Sequence, residues 1–178
     1  MKIIIAGAGE VGSYVAKMLC NNNHDIIIID NMYEERLKWL DAMIVLLTIF
    51  DYPCSIKVLK DAHIKTADLF IAVTPYETMN ITAAVLAKRL GAAKTTARID
   101  NNEYLSPKNL AFFNEIGIDS LIYPELLAAK EIANLLKKAG TNKIFDFAGG
   151  KLSLFVIKLE DPAPVIGHTL AELADEND

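Results

Sequence analysis

Three glycines at a fixed spacing limit what this chain can build at its amino end. Gly7-Ala8-Gly9-Glu10-Val11-Gly12 follows the apolar run Ile3-Ile4-Ile5 and leads into a helix-like stretch. Eighteen residues after Gly12, Asp30 closes a second apolar run, Ile26-Ile27-Ile28-Ile29, just ahead of Asn31. A strand, a glycine-rich turn, a helix and an acid at the end of the next strand together predict a dinucleotide site. Gly7 permits the tight turn out of the strand, Gly9 leaves room for a pyrophosphate against the backbone, and Gly12 lets helix and strand pack closely. The phosphates are expected on the backbone from Ala8 through Val11, where a helix N-terminus offers free amides and a favourable dipole. Asp30, with Asn31 beside it, is placed to accept hydrogen bonds from both ribose hydroxyls and to repel a 2′-phosphate, which favours NAD over NADP.

The chain can bury a full core: it has 178 residues, of which 52% are hydrophobic. Its formal charge of −5, with Lys and Arg scattered, argues against a nucleic-acid role, because phosphate contacts need clustered cations. The longest apolar runs, such as Ala42 to Leu47, are strand-sized and far short of the roughly 20 residues that span a bilayer. No signal-peptide pattern follows Lys2, and a cytoplasmic location is expected. Cys20 and Cys54 have neither metal-ligand spacing nor the density of a disulfide scaffold, and read as idle thiols.

Beyond the first βαβ unit, apolar runs and helical stripes keep alternating. Strands are predicted near 2–6, 25–30, 43–49, 68–73, 94–99 and 119–122, and helices near 10–22, 32–40, 55–62, 77–90, 107–116 and 124–139. Strict alternation implies a Rossmann-type doubly wound α/β fold, with a parallel six-stranded sheet covered on both faces. In the last helix Ala128, Ile132, Leu135, Leu136 and Ala139 share one stripe, which is expected to pack against something. From Gly140 the pattern changes to two β-like stretches, 143–147 and 152–159, around Gly149-Gly150. Residues 1–139 are therefore read as a nucleotide-binding domain and 140–178 as a linker and the incomplete start of a small C-terminal module.

Several separate stretches, in order, resemble the nucleotide-binding regulatory domain of Trk-type potassium uptake systems, the KTN or RCK domain. They are GAGEVG with Asp30, Ala67-Asp68, Ala72 to Pro75, Glu77 and Asn80, Ala87 to Ala92, Ala97-Arg98-Ile99, Glu103-Tyr104, and Ile122 to Glu125. Pro164 to Gly167, with Leu170 and Leu173, resembles the early motif of the small module that follows such domains. The resemblance implies binding of NAD or NADH, and in some members ATP or ADP. It also implies a homodimer or tetramer and transmission of nucleotide state to a membrane potassium-translocating subunit of the TrkH type, at the inner face of the plasma membrane. Two departures stand out. Ile49 to Cys54 lacks the glycine the family carries after the third strand, so contacts to the adenine edge stay open; His63 replaces a glycine common after the next helix.

Arg98 closes an apolar strand at the edge where open α/β sheets bind ligands. It reads either as a phosphate or ribose contact, as the resemblance implies, or as half of a surface salt bridge. Thr74 and Asn80 share that edge, although Asn80 equally fits a hydrogen bond to the turn at Thr74-Pro75. Glu125 starts a helix, where an acid is favoured by the dipole alone; in some triphosphate-binding relatives the matching glutamate holds a divalent cation, which makes Glu125 the metal candidate that the resemblance implies. Those relatives often carry arginine where this chain has Glu10, whose carboxylate repels added negative charge and favours NAD. His24, His63 and His168 form no metal pattern, and Trp39, Leu37 and Leu40 read as core. The other reading is a fragment of an NAD-dependent oxidoreductase, with a methyltransferase more distant. Tyr104 and Lys108 have the four-residue spacing of one dehydrogenase pair, but Pro107 disfavours a shared helix, and the tail offers no acid/base set. A cofactor site without a second substrate site points to sensing rather than catalysis.

Overall fold

The computed structural model describes residues 1–20, 24–32, 35, 37–38, 40, 47–137, 143–147 and 152–156, with 158–159, 161, 163, 165–169 and 172 beyond them. Six strands form one sheet: β1 (Lys2–Ala6), β2 (Asp25–Asp30), β3 (Leu47–Phe50), β4 (Leu69–Ala72), β5 (Lys94–Arg98) and β6 (Ser120–Ile122). Their order is β3-β2-β1-β4-β5-β6, and every neighbouring pair is parallel. The strand order reverses between β1 and β4, which opens a crevice at their carboxyl ends.

Helices α1 (Glu10–Cys20), α2 (Ile56–Asp61), α3 (Glu77–Leu90), α4 (Pro107–Ile116) and α5 (Pro124–Lys137) alternate with the strands. The strand limits predicted from sequence agree to within a residue or two except at β3, for which residues 41–46 lie outside the described residues. Of the helix predicted over 32–40, residues 35, 37, 38 and 40 are described and helical, while Trp39 lies outside the described residues. Two short 3-10 segments, Ile64–Thr66 and Asn102–Leu105, had no distinct signature in the pattern.

Parallel strands sandwiched between helices are buried on both faces, which explains the unbroken isoleucine runs of β1 and β2. Because side chains alternate across a strand, the runs split into two cores. Ile4, Ala6, Ile27 and Ile29 join Phe70, Ala72 and the α2 and α3 residues Val58, Leu59, Ala83, Ala84 and Ala87. Ile3, Ile5, Ile26 and Ile28 pack instead with Ala16 of α1 and with Leu37 and Leu40. The three alanines give α3 a small-residue face, so the helix can lie close to β4 and β5. Ser55 caps α2 by accepting a hydrogen bond from the Val58 amide at 3.4 Å.

The chain divides into two compact units, Met1–Leu126 and Leu127–Asp178. The division falls inside α5, whereas the sequence pattern places that whole helix in the first domain. Within the second unit, β7 (Lys143–Phe147) pairs antiparallel with β8 (Leu152–Val156). Strand β8 stops short of the predicted limit at 159. On α5 the predicted stripe is open at Ala128, Ile132 and Leu135, all exposed, while the side chains of Leu136 and Ala139 lie outside the described residues.

Candidate functional site

The carboxyl ends of β1, β2, β4 and β5 bring the predicted site residues to one edge. The three glycines of the first loop play three different parts. Gly7 has a φ of +113°, and a Cβ there would meet the Thr74 nitrogen and the Val73 carbonyl carbon at 2.9 Å, so the loop turns tightly against the end of β4. A Cβ on Gly12 would lie 1.9 Å from the Gly7 oxygen, so the start of α1 packs directly on the loop. At Gly9 a Cβ would meet nothing within 4 Å, and the backbone faces open space. Ala8 is buried behind it, whereas Glu10 and Val11 are exposed on the first turn of α1. The amides opening α1 have no intrahelical acceptor, as at any helix N-terminus.

Asp30 is buried and does more than the sequence predicts. One carboxylate oxygen accepts a hydrogen bond from the Ala8 amide and the other from the Met32 amide, both at 2.6 Å. The carboxylate therefore ties the glycine loop to the end of β2 and fixes the loop's shape. Asn31 is half-buried beside it. Met32 and Phe50 flank Asp30 and are half-exposed, with Phe50 directly opposite Asp30 in the β2–β3 register.

Across the crevice, Asn80 makes hydrogen bonds to the turn at Thr74, one of the two readings that its position allows. Its side chain is almost fully buried, at 1% exposure, and all four of its hydrogen-bonding positions are used. Oδ1 accepts from the Thr74 amide at 2.8 Å and the Thr74 hydroxyl at 2.7 Å, while Nδ2 donates to the carbonyls of Thr74 at 3.0 Å and Arg98 at 3.1 Å. Asn80 thus clamps the ends of β4 and β5 together, and Thr74 is consumed in the same network. Glu77, quoted in the sequence pattern without a role, accepts from the amides of Asp100 and Asn101 at 2.6 and 2.8 Å and shapes the loop after β5. Only the fold brings residues 77 and 100 together, so spacing gave no signal for this.

Arg98 does form the salt bridge that was its simpler reading. Its Nη2 donates to Glu125 at 3.2 Å and lies 3.3 Å from an Asp100 carboxylate oxygen. Its Nε, however, is buried without a hydrogen-bond partner. Glu125 therefore faces a guanidinium. Among the described residues no group of three or more His, Cys, Asp or Glu side chains could hold a metal ion.

The other side chains that the sequence singled out pack into the fold. Tyr104 packs on Phe113, with ring centroids 4.9 Å apart, and lies in a different element from Lys108. Cys54 is half-buried and donates to the Met79 carbonyl at 3.5 Å; burial pushes its thiol above the usual range, which keeps it a poor nucleophile. A groove of 320 Å³ at the amino edge, lined by Lys60, His63, Ile64, Lys65, Thr66 and Leu90, holds none of the predicted site residues.

A Rossmann sheet with a glycine loop at its switch point and an acid on the neighbouring strand is the layout in which open α/β domains seat dinucleotides. More narrowly, residues 3–124 match the family model of the TrkA-N domain, and the chain belongs to that family. It is 38% identical over 96% of its length to the Trk system potassium uptake protein TrkA of Haemophilus influenzae. The chain spans about two-fifths of the length of the curated relatives it matches. Among solved structures, the TrkA-N domain of the inner membrane protein ybaL from Escherichia coli superposes with a TM-score of 0.66 at 18% identity, covering 76% of this chain and 96% of that one. The GsuK channel bound to NAD superposes with a TM-score of 0.56 at 15% identity, covering 69% of this chain and 21% of that one.

Proposed function

We propose that this chain is the nucleotide-sensing module of a Trk-type potassium uptake system and that it binds NAD or NADH across the carboxyl edge of its sheet. The observation that carries the reading is the difference among the glycines: backbone occupies the Cβ positions of Gly7 and Gly12, while that of Gly9 is open. That is the space a pyrophosphate needs beside the α1 amides. Gly9, Glu10 and Val11 would hold the phosphates, with the Ala8 amide spent on Asp30 to shape the loop, Asp30 and Asn31 would hold the adenosine ribose, and Met32 and Phe50 offer an apolar surface to the base. Thr74 and Asn80 support the far side as scaffold, and Arg98 supplies its cation. The GsuK channel, which shares the fold, is bound to NAD, and the relatives at 33–38% identity that carry the Trk name support the potassium-uptake role.

In this reading ADP and ATP are weaker ligands because Glu10 disfavours added negative charge. The chain is not an enzyme. It works as a homodimer or tetramer on the cytoplasmic side of a TrkH-type membrane subunit, its 140–178 segment being the start of the small module, and the open α5 stripe supplies part of the contact between copies. Among the described residues no helix is long and apolar enough to cross a membrane. Nucleotide regulates by binding one arrangement of the paired domains more tightly than the other.

Calorimetric titration with NADH, NAD, NADP, ADP and ATP tests the site. Wild type is expected to bind NADH or NAD best, with at least ten-fold losses in Gly9→Val and Asp30→Ala. Equal binding by both variants would overturn the assignment. Steady NADH turnover with a simple carbonyl compound would favour the oxidoreductase instead.

A further inference from the structure

Arg98 is the least satisfied group on the carboxyl edge. Its Nε is buried without an acceptor, a costly state for a charged donor, while Nη2 is drawn aside toward Glu125 and Asp100. The cation is anchored and its anions are not: the Arg98 side chain is 23% exposed, against 48% for Asp100 and 54% for Glu125. The Arg98 carbonyl is fixed in turn by Asn80. Carboxylates this exposed hold a cation weakly, so an anion seated in the crevice can displace them. An incoming oxygen would meet the guanidinium at Nη2, where each carboxylate makes a single exposed contact. Glu125 is the second residue of α5, the helix through which the chain passes from its first compact unit to its second.

We infer that Glu125 is an internal competitor for Arg98: it holds the guanidinium when the crevice is free of ligand and yields it to oxygens of a bound nucleotide, which unties the first turn of α5. This rests on the nucleotide-binding reading above. Occupancy of the crevice and attachment of that turn are then two sides of one equilibrium, and each biases the other. Asp100 shares the guanidinium but lies in the loop held by Glu77, so only the release of Glu125 reaches a helix.

The test is NADH titration of wild type, Glu125→Gln, Arg98→Gln and the double variant. Glu125→Gln is expected to bind two- to five-fold more tightly than wild type, roughly the strength of an exposed ion pair, and Arg98→Gln at least ten-fold more weakly. In the Arg98→Gln background, adding Glu125→Gln should change nothing. Unchanged affinity in Glu125→Gln overturns the competition, and so does an equal gain with or without Arg98, which would make Glu125 a distant repelling charge. Hydrogen exchange supplies the second readout: NADH should speed exchange of the 126–128 amides in wild type and not in Glu125→Gln, and no change in wild type overturns the release. Wild type that binds none of the nucleotides sinks the site assignment itself, a result distinct from binding without competition.

Discussion

The two edges of the sheet use polar side chains in opposite ways. At the amino edge the groups satisfy each other. Asp119 accepts from the Thr95 amide at 2.7 Å and from Lys88 at 2.8 Å; the Thr95 hydroxyl donates to the Gly117 carbonyl at 2.7 Å, and Lys88 also reaches the Ala93 carbonyl at 2.8 Å. At the carboxyl edge the supporting residue Asn80 is equally satisfied, but Arg98, whose carbonyl it holds, keeps a buried Nε without a hydrogen-bond partner. A buried donor left without an acceptor reduces stability, and its place at the carboxyl edge separates the ligand-facing side of the fold from the side that only holds it together.

The largest test of this contrast compares two glycines in one loop. Gly12→Ala forces a Cβ into the Gly7 carbonyl and is expected to cost about 3 kcal/mol or more in denaturant unfolding. Gly9→Ala meets no atom and should stay within about 1 kcal/mol of wild type, since alanine loses less backbone entropy on folding than glycine does. Equal destabilisation by the two would remove the distinction between packing glycine and ligand-facing glycine. Next in size, Asn80→Ala strips four buried hydrogen bonds and should lower stability by about 2–4 kcal/mol, with thermal unfolding as the readout. A near-neutral result would mean that water replaces the clamp.

A smaller effect follows from pH. Burial pushes the Asp119 carboxyl up, but hydrogen bonds from Lys88 and the Thr95 amide and the charge on Lys88 together hold it below its ordinary value. A depressed folded value stabilises above the unfolded value near 4, and that contribution disappears as pH falls through the folded value. Urea midpoints of wild type and Asp119→Asn should therefore differ at pH 7 and converge toward pH 3, by a modest amount because the carboxylate is 36% exposed. A constant gap would show that proton linkage is not the cause. The smallest expected change is a gain. His63 has a φ of +56°, in the left-handed region, so His63→Gly should stabilise by roughly 0.5 kcal/mol, the relief of side-chain strain offset by glycine's entropy. A loss, read by the same urea titration, would mean that the imidazole makes a favourable contact at the amino edge.

Much of this molecule could be read from its residues because the signals are local. Turn, helix start and strand end occupy neighbouring positions in the first loop, so Gly7, Gly9, Gly12 and Asp30 declare their roles by spacing alone. The isoleucine runs likewise announce strands buried on both faces. What stayed hidden lies between residues far apart in the chain. Asn80 admitted two readings until it was placed between Thr74 and Arg98, and the Arg98–Glu125 pair joins residues on different elements. The second role of Asp30, fixing the loop through the Ala8 amide, needed the register of β2 against β1. Sequence periodicity by itself determined that the strands are parallel and the sheet covered, because hydrophobic burial must match backbone period. The strand order, the clamps at its edges and the half-satisfied arginine were decided only in three dimensions, where hydrogen bonds form between whichever groups the packed backbone brings within reach.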